Sequence, residues 1–132
     1  MGICKEAIRR DVFSIRWVNG ADMFGDARDL ISDGGSEKDF VRRLVLPSVL
    51  YISDPVPPSG SITEFQASLL FRILDGRYSA GKPTIATVNV ASRAELDTRI
   101  GSQNSDRLRD GALCVPCAWS SYRKPLEIEV KS

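Results

Sequence analysis

The sequence predicts an α/β domain, with a mainly parallel sheet and helices on both of its faces. Two apolar or β-branched runs of strand length, Val49–Ile52 and Pro83–Val88, flank a long amphipathic pattern. Strands that alternate with helices are joined by right-handed crossovers, so they run parallel. Each run also ends in a polar residue, Asp54 after the first and Asn89 after the second. Parallel strands then deliver Asp54 and Asn89 to one edge, the C-terminal edge where such sheets bind ligands.

The elements follow in order. Met1–Arg10 is expected to be a short helix, with Ile3, Ala7 and Ile8 on one side. Phe13–Val18 alternates as a strand does. Asn19 or Gly20 opens a helix through about Ile31, with Met23, Phe24, Ala27, Leu30 and Ile31 at helical spacing. Ser32–Gly35 is a turn. Ser36 caps the next helix, whose buried face is Phe40, Val41, Leu44 and Val45, and Pro47 ends it. The strand Val49–Ile52 runs into Ser53, Asp54 and a turn rich in proline. Ser61 with Glu64, or Thr63 with Gln66, forms a capping box for a helix bearing Ile62, Phe65, Leu69, Leu70, Ile73 and Leu74. That helix runs to about Ala80 and stops at Gly81. After the strand Pro83–Val88, Ser92 caps a helix that Gly101 breaks, and Ser102–Arg109 forms another. Ala112–Val115 is expected to be a strand, Pro116–Lys124 irregular, and Leu126–Val130 a last alternating strand.

Residues 1–132 are of a length for one domain. With 18 basic and 17 acidic residues, the chain has no global attraction to nucleic acid, so any such contact needs a local patch or an assembly. The absence of histidine removes Ser-His and Cys-His catalysis and most catalytic zinc sites. Cys114 and Cys117 form a C-V-P-C pair with apolar neighbours and no second ligand pair, which favours structural thiols over a redox or zinc site. No apolar run approaches the roughly 20 residues needed to cross a bilayer. Lys5, Glu6, Arg9, Arg10 and Asp11 interrupt any signal-peptide pattern, so the expected location is the cytoplasm, with no membrane partner.

Three stretches carry a resemblance: T-E-F-Q-A-S-L-L-F-R-I-L-D-G-R-Y-S-A-G-K-P-T-I-A-T-V-N (Thr63–Asn89), R-I-G-S-Q-N-S-D-R-L (Arg99–Leu108) and W-S-S-Y-R (Trp119–Arg123). Their order and spacing resemble the DnaC/IstB-type AAA+ ATPases, the family of bacterial replicative-helicase loaders, over most of the chain from Phe13 to Arg123. The resemblance implies a P-loop NTPase sheet of the AAA+ type, with ATP and Mg²⁺ as cofactors. It also implies roles residue by residue. Asp54 matches the second Walker B acid, which polarises the attacking water beside the metal. Asn89 matches sensor 1. Arg107 matches the arginine finger that reaches a neighbouring subunit's nucleotide, and Arg123 a basic residue near the phosphates. Phosphoryl transfer is mostly positioning and charge neutralisation, so each residue type suits its role. Each also has a plain alternative. Asn89 can cap its loop, Arg107 can pair with Asp106, Asp110 or Glu95, and Arg123 can be a solvated charge.

The chain departs from that family in two ways. Ser53 stands where the first Walker B acid belongs, and a hydroxyl is a poorer ligand for a hard cation. There is also no working phosphate loop, which needs G-x-x-x-x-G-K-[ST] between a strand and a helix. The nearest string, Gly76 to Pro83, places proline at the metal-binding position and lies between a helix and a strand instead. In the family order the P-loop strand is central. The expectation is therefore a partial AAA+ core lacking that strand, between Ala112–Val115 and Pro83–Val88, with hydrolysis weak or absent. Three ways of closing the gap are direct pairing of the flanking strands, insertion of Leu126–Val130, or a strand from another copy. The functional expectation is a helicase-loader-like domain in DNA replication, self-associating or bound to a replicative helicase, with single-stranded DNA reached through the assembly. The alternatives are a non-catalytic interaction module, supported by the tandem pairs Arg9/Arg10 and Arg42/Arg43, and an IstB-like transposition helper.

Overall fold

In a computed structural model, which describes residues 14–117, three strands form one sheet in the order β1-β2-β3. They are β1 (Ile15–Asn19), β2 (Val49–Ser53) and β3 (Thr84–Thr87), and both pairings are parallel. The connections hold three helices, α1 (Gly20–Ser32) and α2 (Glu37–Val45) between β1 and β2 and α3 (Glu64–Ser79) between β2 and β3; α4 (Arg93–Ile100) and α5 (Ser102–Arg109) follow β3. The expected helix Met1–Arg10 and strand Leu126–Val130 lie outside the described residues.

Local chemistry sets the helix starts. Asn19 Oδ1 accepts from the backbone N–H groups of Ala21 and Asp22 at the head of α1. Ser36 caps α2 through Asp39 N–H, and Ser92 caps α4 through Glu95 N–H. Of the two capping boxes the sequence offers, Thr63–Gln66 forms: Thr63 Oγ1 accepts from Gln66 N–H, and Gln66 Oε1 accepts from Thr63 N–H.

The register pairs Arg16 with Leu50 and Leu50 with Thr84, so strand residues divide cleanly between two faces. Leu50 and Ile52, both fully buried, join Met23, Phe24, Ala27, Phe40, Leu44, Leu69, Leu70, Ile73, Leu96 and Ile100 in one core. Val18 and Ala86, on that same face, pack against it. Helix α2 packs on α3, α3 on α5, and α5 on α4. The opposite face bears Ile15, Trp17, Val49, Tyr51 and Ile85, none of which belongs to this core; Trp17 is 46% exposed.

The N-terminal edge of the sheet is tied by a buried cation. Arg77, in the last turn of α3, is fully buried. It donates to the carbonyls of Leu44, Val45, Pro47, Ser48 and Pro83 and to Thr84 Oγ1, at 2.8 to 3.3 Å. Lys82 Nζ adds bonds to the carbonyls of Val45 and Leu46. Orphan carbonyls at a helix C-terminus carry partial negative charge, so two cations there satisfy both the hydrogen bonds and the dipole of α2. Burial lowers the pKa of the Arg77 guanidinium, but an arginine stays protonated at any ordinary pH.

One expected element does not form. Ala112–Val115 is not a strand. It leaves α5 through Gly111, whose φ is +68°, and no backbone hydrogen bond joins it to β3. Extended chain becomes a strand only when a neighbour completes its ladder, and a groove separates this segment from β3. Direct pairing of the two flanking strands is therefore not how the gap is closed.

Candidate functional site at the C-terminal edge of the sheet

The C-terminal ends of β1, β2 and β3 bring Asn19, Ser53 and Thr87 into register in one row. Asp54 follows immediately, and its N–H donates to Thr87 O at 2.9 Å, extending the ladder by one bond. Asp54 is the one non-glycine described residue with positive φ, at +50°. Such a backbone is uncommon outside glycine, though Asp and Asn tolerate it best. The left-handed residue ends the strand, and the Asp54 side chain is exposed at the edge, while Pro55 and Val56 behind it are buried.

Two features hold that turn. Gly20, at the β1–α1 junction, passes so close that a Cβ there would stand 2.4 Å from the Cα of Pro55 and 2.5 Å from Asp54 O. Farther along, the loop is tied to α4: Arg99 Nη1 donates to Pro57 O, Ile62 N–H to Arg99 O, and Ser61 Oγ to Thr98 O. Asn89 lies exposed on the same edge, just past the end of β3. Ser53, Asp54 and Asn89 thus lie on one edge of the sheet.

The structure does not bring Arg107 there. Arg107 Nη2 is 3.1 Å from Asp75 Oδ1, and its guanidinium sits 4.6 Å from the centroid of the Tyr78 ring. Asp75 and Tyr78 belong to the end of α3 that leads into the start of β3, so Arg107 lies toward the opposite edge of the sheet. Its partner is none of the three acids the sequence suggested. A hollow of about 600 Å³ beside it is lined by Arg93, Arg107 and Arg109 together with Asp106 and Asp110. Arg109 is itself engaged by Asp106 and Asp97, so Arg107 and Arg109 are largely neutralised. Arg123 lies outside the described residues.

The string Gly76–Pro83 ends α3 and enters β3, with φ +67° at Gly81. Its lysine, Lys82, is bound to the end of α2 at the edge opposite Asp54. As a holder of Mg²⁺–ATP, the edge offers one carboxylate, Asp54, and one hydroxyl, Ser53. Among the described residues no group of three or more His, Cys, Asp or Glu could hold a metal ion. Magnesium sites of this kind rely on substrate phosphates as further ligands, and no described segment forms a phosphate cradle. The described residues do not fit Mg²⁺–ATP as a self-sufficient site.

No family model and no curated protein matches the chain. Solved structures do. The crystal structure of the DnaC helicase loader superposes with a TM-score of 0.64 at 21% identity, over 77% of this chain and 59% of that one. The crystal structure of a DNA replication initiation factor superposes with a TM-score of 0.66 at 17% identity, over 79% of this chain and 30% of that one. The fold is a DnaC-type AAA+ fold. More narrowly, the three parallel strands and five helices match part of the AAA+ P-loop NTPase fold. The chain spans 59% and 30% of the lengths of these two structures.

Within this fold, the residues missed in the sequence are supporting ones. Gly20 carried a signal: it follows a strand directly, where a close backbone approach requires glycine. Arg77 carried none beyond its place in the stretch Thr63–Asn89, because its acceptors lie as far as 33 residues away in the chain.

Proposed function

We propose that this chain is a replication-related AAA+ domain of the helicase-loader type, retaining the water-positioning edge and an assembly surface but not hydrolysing ATP by itself. The observation that supports this most is the edge: Asp54 and Asn89 leave adjacent parallel strands side by side, while the only glycine-lysine string near the phosphate-loop pattern is engaged at the other edge. In this reading Asp54 and Asn89 are ancestral positions for orienting water, and Ser53 marks a weakened metal site. Arg107 and Arg123 are the charges offered to a neighbour's nucleotide. ATP with Mg²⁺, where present, would be gripped by another chain or segment, and single-stranded DNA would be met through the assembly.

The test is phosphate release by the isolated chain with ATP and Mg²⁺, beside Asp54→Ala as control. The expected result is no turnover above the control; a magnesium-dependent rate abolished by Asp54→Ala would refute the proposal. Affinity capture adds the partner. A replicative helicase supports the loader reading, and a transposase in its place moves the domain to the IstB-like helper role.

One observation favours a second reading, a non-catalytic interaction module. Arg107 is already held within its own chain by Asp75 and Tyr78. Assembly unaffected by Arg107→Ala and by nucleotide would support that module.

A further inference from the structure

Two loops build the edge that carries Asp54 and Asn89. One leaves β2 at Asp54 and enters α3 at Thr63; the other leaves β3 and passes Asn89 before Ser92 caps α4. Direct pairing between them ends at the bond from Asp54 N–H to Thr87 O. Among the described residues, no backbone hydrogen bond joins 55–61 to 88–92. Helix α4 touches both loops instead. Glu95 Oε2 accepts from Ala91 N–H at 2.6 Å, just past Asn89. The other carboxylate oxygen, Oε1, lies 3.4 Å from Arg99 Nε, one helical turn on. Arg99 Nη1 then donates to Pro57 O at 3.1 Å, in the loop that begins at Asp54. Ile62 N–H and Ser61 Oγ dock the same loop on the carbonyls of Arg99 and Thr98.

Part of this is ordinary capping. Ser92 Oγ accepts from Glu95 N–H, and a glutamate at that position commonly returns a bond to the backbone at the helix start. A glutamate–arginine pair at i,i+4 on a half-exposed helix face adds little by itself. Capping does not account for the reach of Arg99, because nothing in α4 requires it to meet Pro57. The carboxylate divides its oxygens between Ala91 and Arg99, and the guanidinium divides its donors between Glu95 and Pro57. We infer that Glu95 and Arg99 are positioning residues for this edge: they tie the Asp54 loop to the Asn89 loop, so that the two open and shift as one unit. A ligand that displaces either loop then displaces the other, and the coupling is reciprocal. The inference rests on the proposed function only in taking this as the ligand edge; the tie itself stands whether or not nucleotide binds.

The experiment is native-state hydrogen exchange followed by NMR on the full chain, without nucleotide, in urea below the unfolding transition. Each loop has one reporting amide: Ile62 N–H, bonded to Arg99 O, and Ala91 N–H, bonded to Glu95 Oε2. In the wild type both are expected to exchange through one opening, with the same free energy and the same urea dependence. Arg99→Gln alters no partner of Ala91, yet it should speed exchange at Ala91 by about fivefold or more. Glu95→Gln keeps an acceptor oxygen for Ala91 and should speed exchange at Ile62. Thr98→Ala is the control, an exposed change on the same helix that keeps the Thr98 carbonyl, and it should leave both amides unchanged. Independent opening of Ile62 and Ala91 in the wild type overturns the inference. So does a folded Arg99→Gln variant in which Ala91 keeps its wild-type rate, or a Thr98→Ala control that speeds both amides as much. Since no nucleotide is present, a failure of the proposed function leaves these rates untouched.

Discussion

Asp54 owes its position in part to a residue that does no chemistry. The chain turns at Asp54 through a left-handed backbone, and Gly20 is what lets that turn sit against the end of β1. Gly20→Ala would force a Cβ into backbone rather than into a movable side chain, so the two segments must separate. Overpacking of this kind costs about 1–3 kcal/mol, and the shift in the urea midpoint measures it. Arg77 acts at the other edge. Its six hydrogen bonds are all to neutral oxygens, so its worth lies in the number and direction of its donors. Lysine keeps the charge but has three donors and no planar fork. Arg77→Lys is therefore expected to lose about 2 kcal/mol or more in chemical denaturation, because buried carbonyls left unpaired cost about 1–3 kcal/mol each.

At the scale of elements, the contact between α3 and α5 decides how Arg107 is presented. Tyr78 and Asp75 of α3 hold it, and Asp110 follows the end of α5. Hydrogen bonding to Asp110, and then that carboxylate's charge, raise the Tyr78 phenol above its ordinary value of 10.0, while Arg107 pulls the other way. The neutral phenol is thus the form the folded contact favours. Whatever stability it contributes is present below the ordinary phenol range and lost as pH rises through the raised folded value. Asp110→Asn should lower the titration midpoint of Tyr78, read as phenolate absorbance by difference against Tyr78→Phe. An unchanged midpoint would mean that Asp110 does not govern this contact.

For the whole molecule, the proposed function and the lack of a phosphate cradle among the described residues predict binding behaviour rather than turnover. Positioning groups accelerate phosphoryl transfer only on a nucleotide already held in place. The absent turnover expected of the isolated chain is therefore not a defect of Asp54 or Asn89. It reflects what the rest of the sheet fails to grip.

Much of this was legible in the residues. Helix periodicity, the caps at Ser36 and Ser92 and the Thr63–Gln66 box depend on neighbours within a few positions, and such chemistry is written locally; the shared edge of Asp54 and Asn89 follows from the parallel strand order. The choice between Thr63–Gln66 and Ser61–Glu64 already needed more, because Ser61 is drawn to Thr98 O across the loop. The tertiary structure alone decided that Arg77 knots α2 to β2 and β3, that Gly20 abuts Pro55, and that Arg107 meets Asp75. It also decided that Ala112–Val115 stays unpaired. The physical reason is common to all four. Each outcome depends on whether a particular group far away in the chain arrives within bonding or contact distance, and no local pattern of residues encodes an arrival.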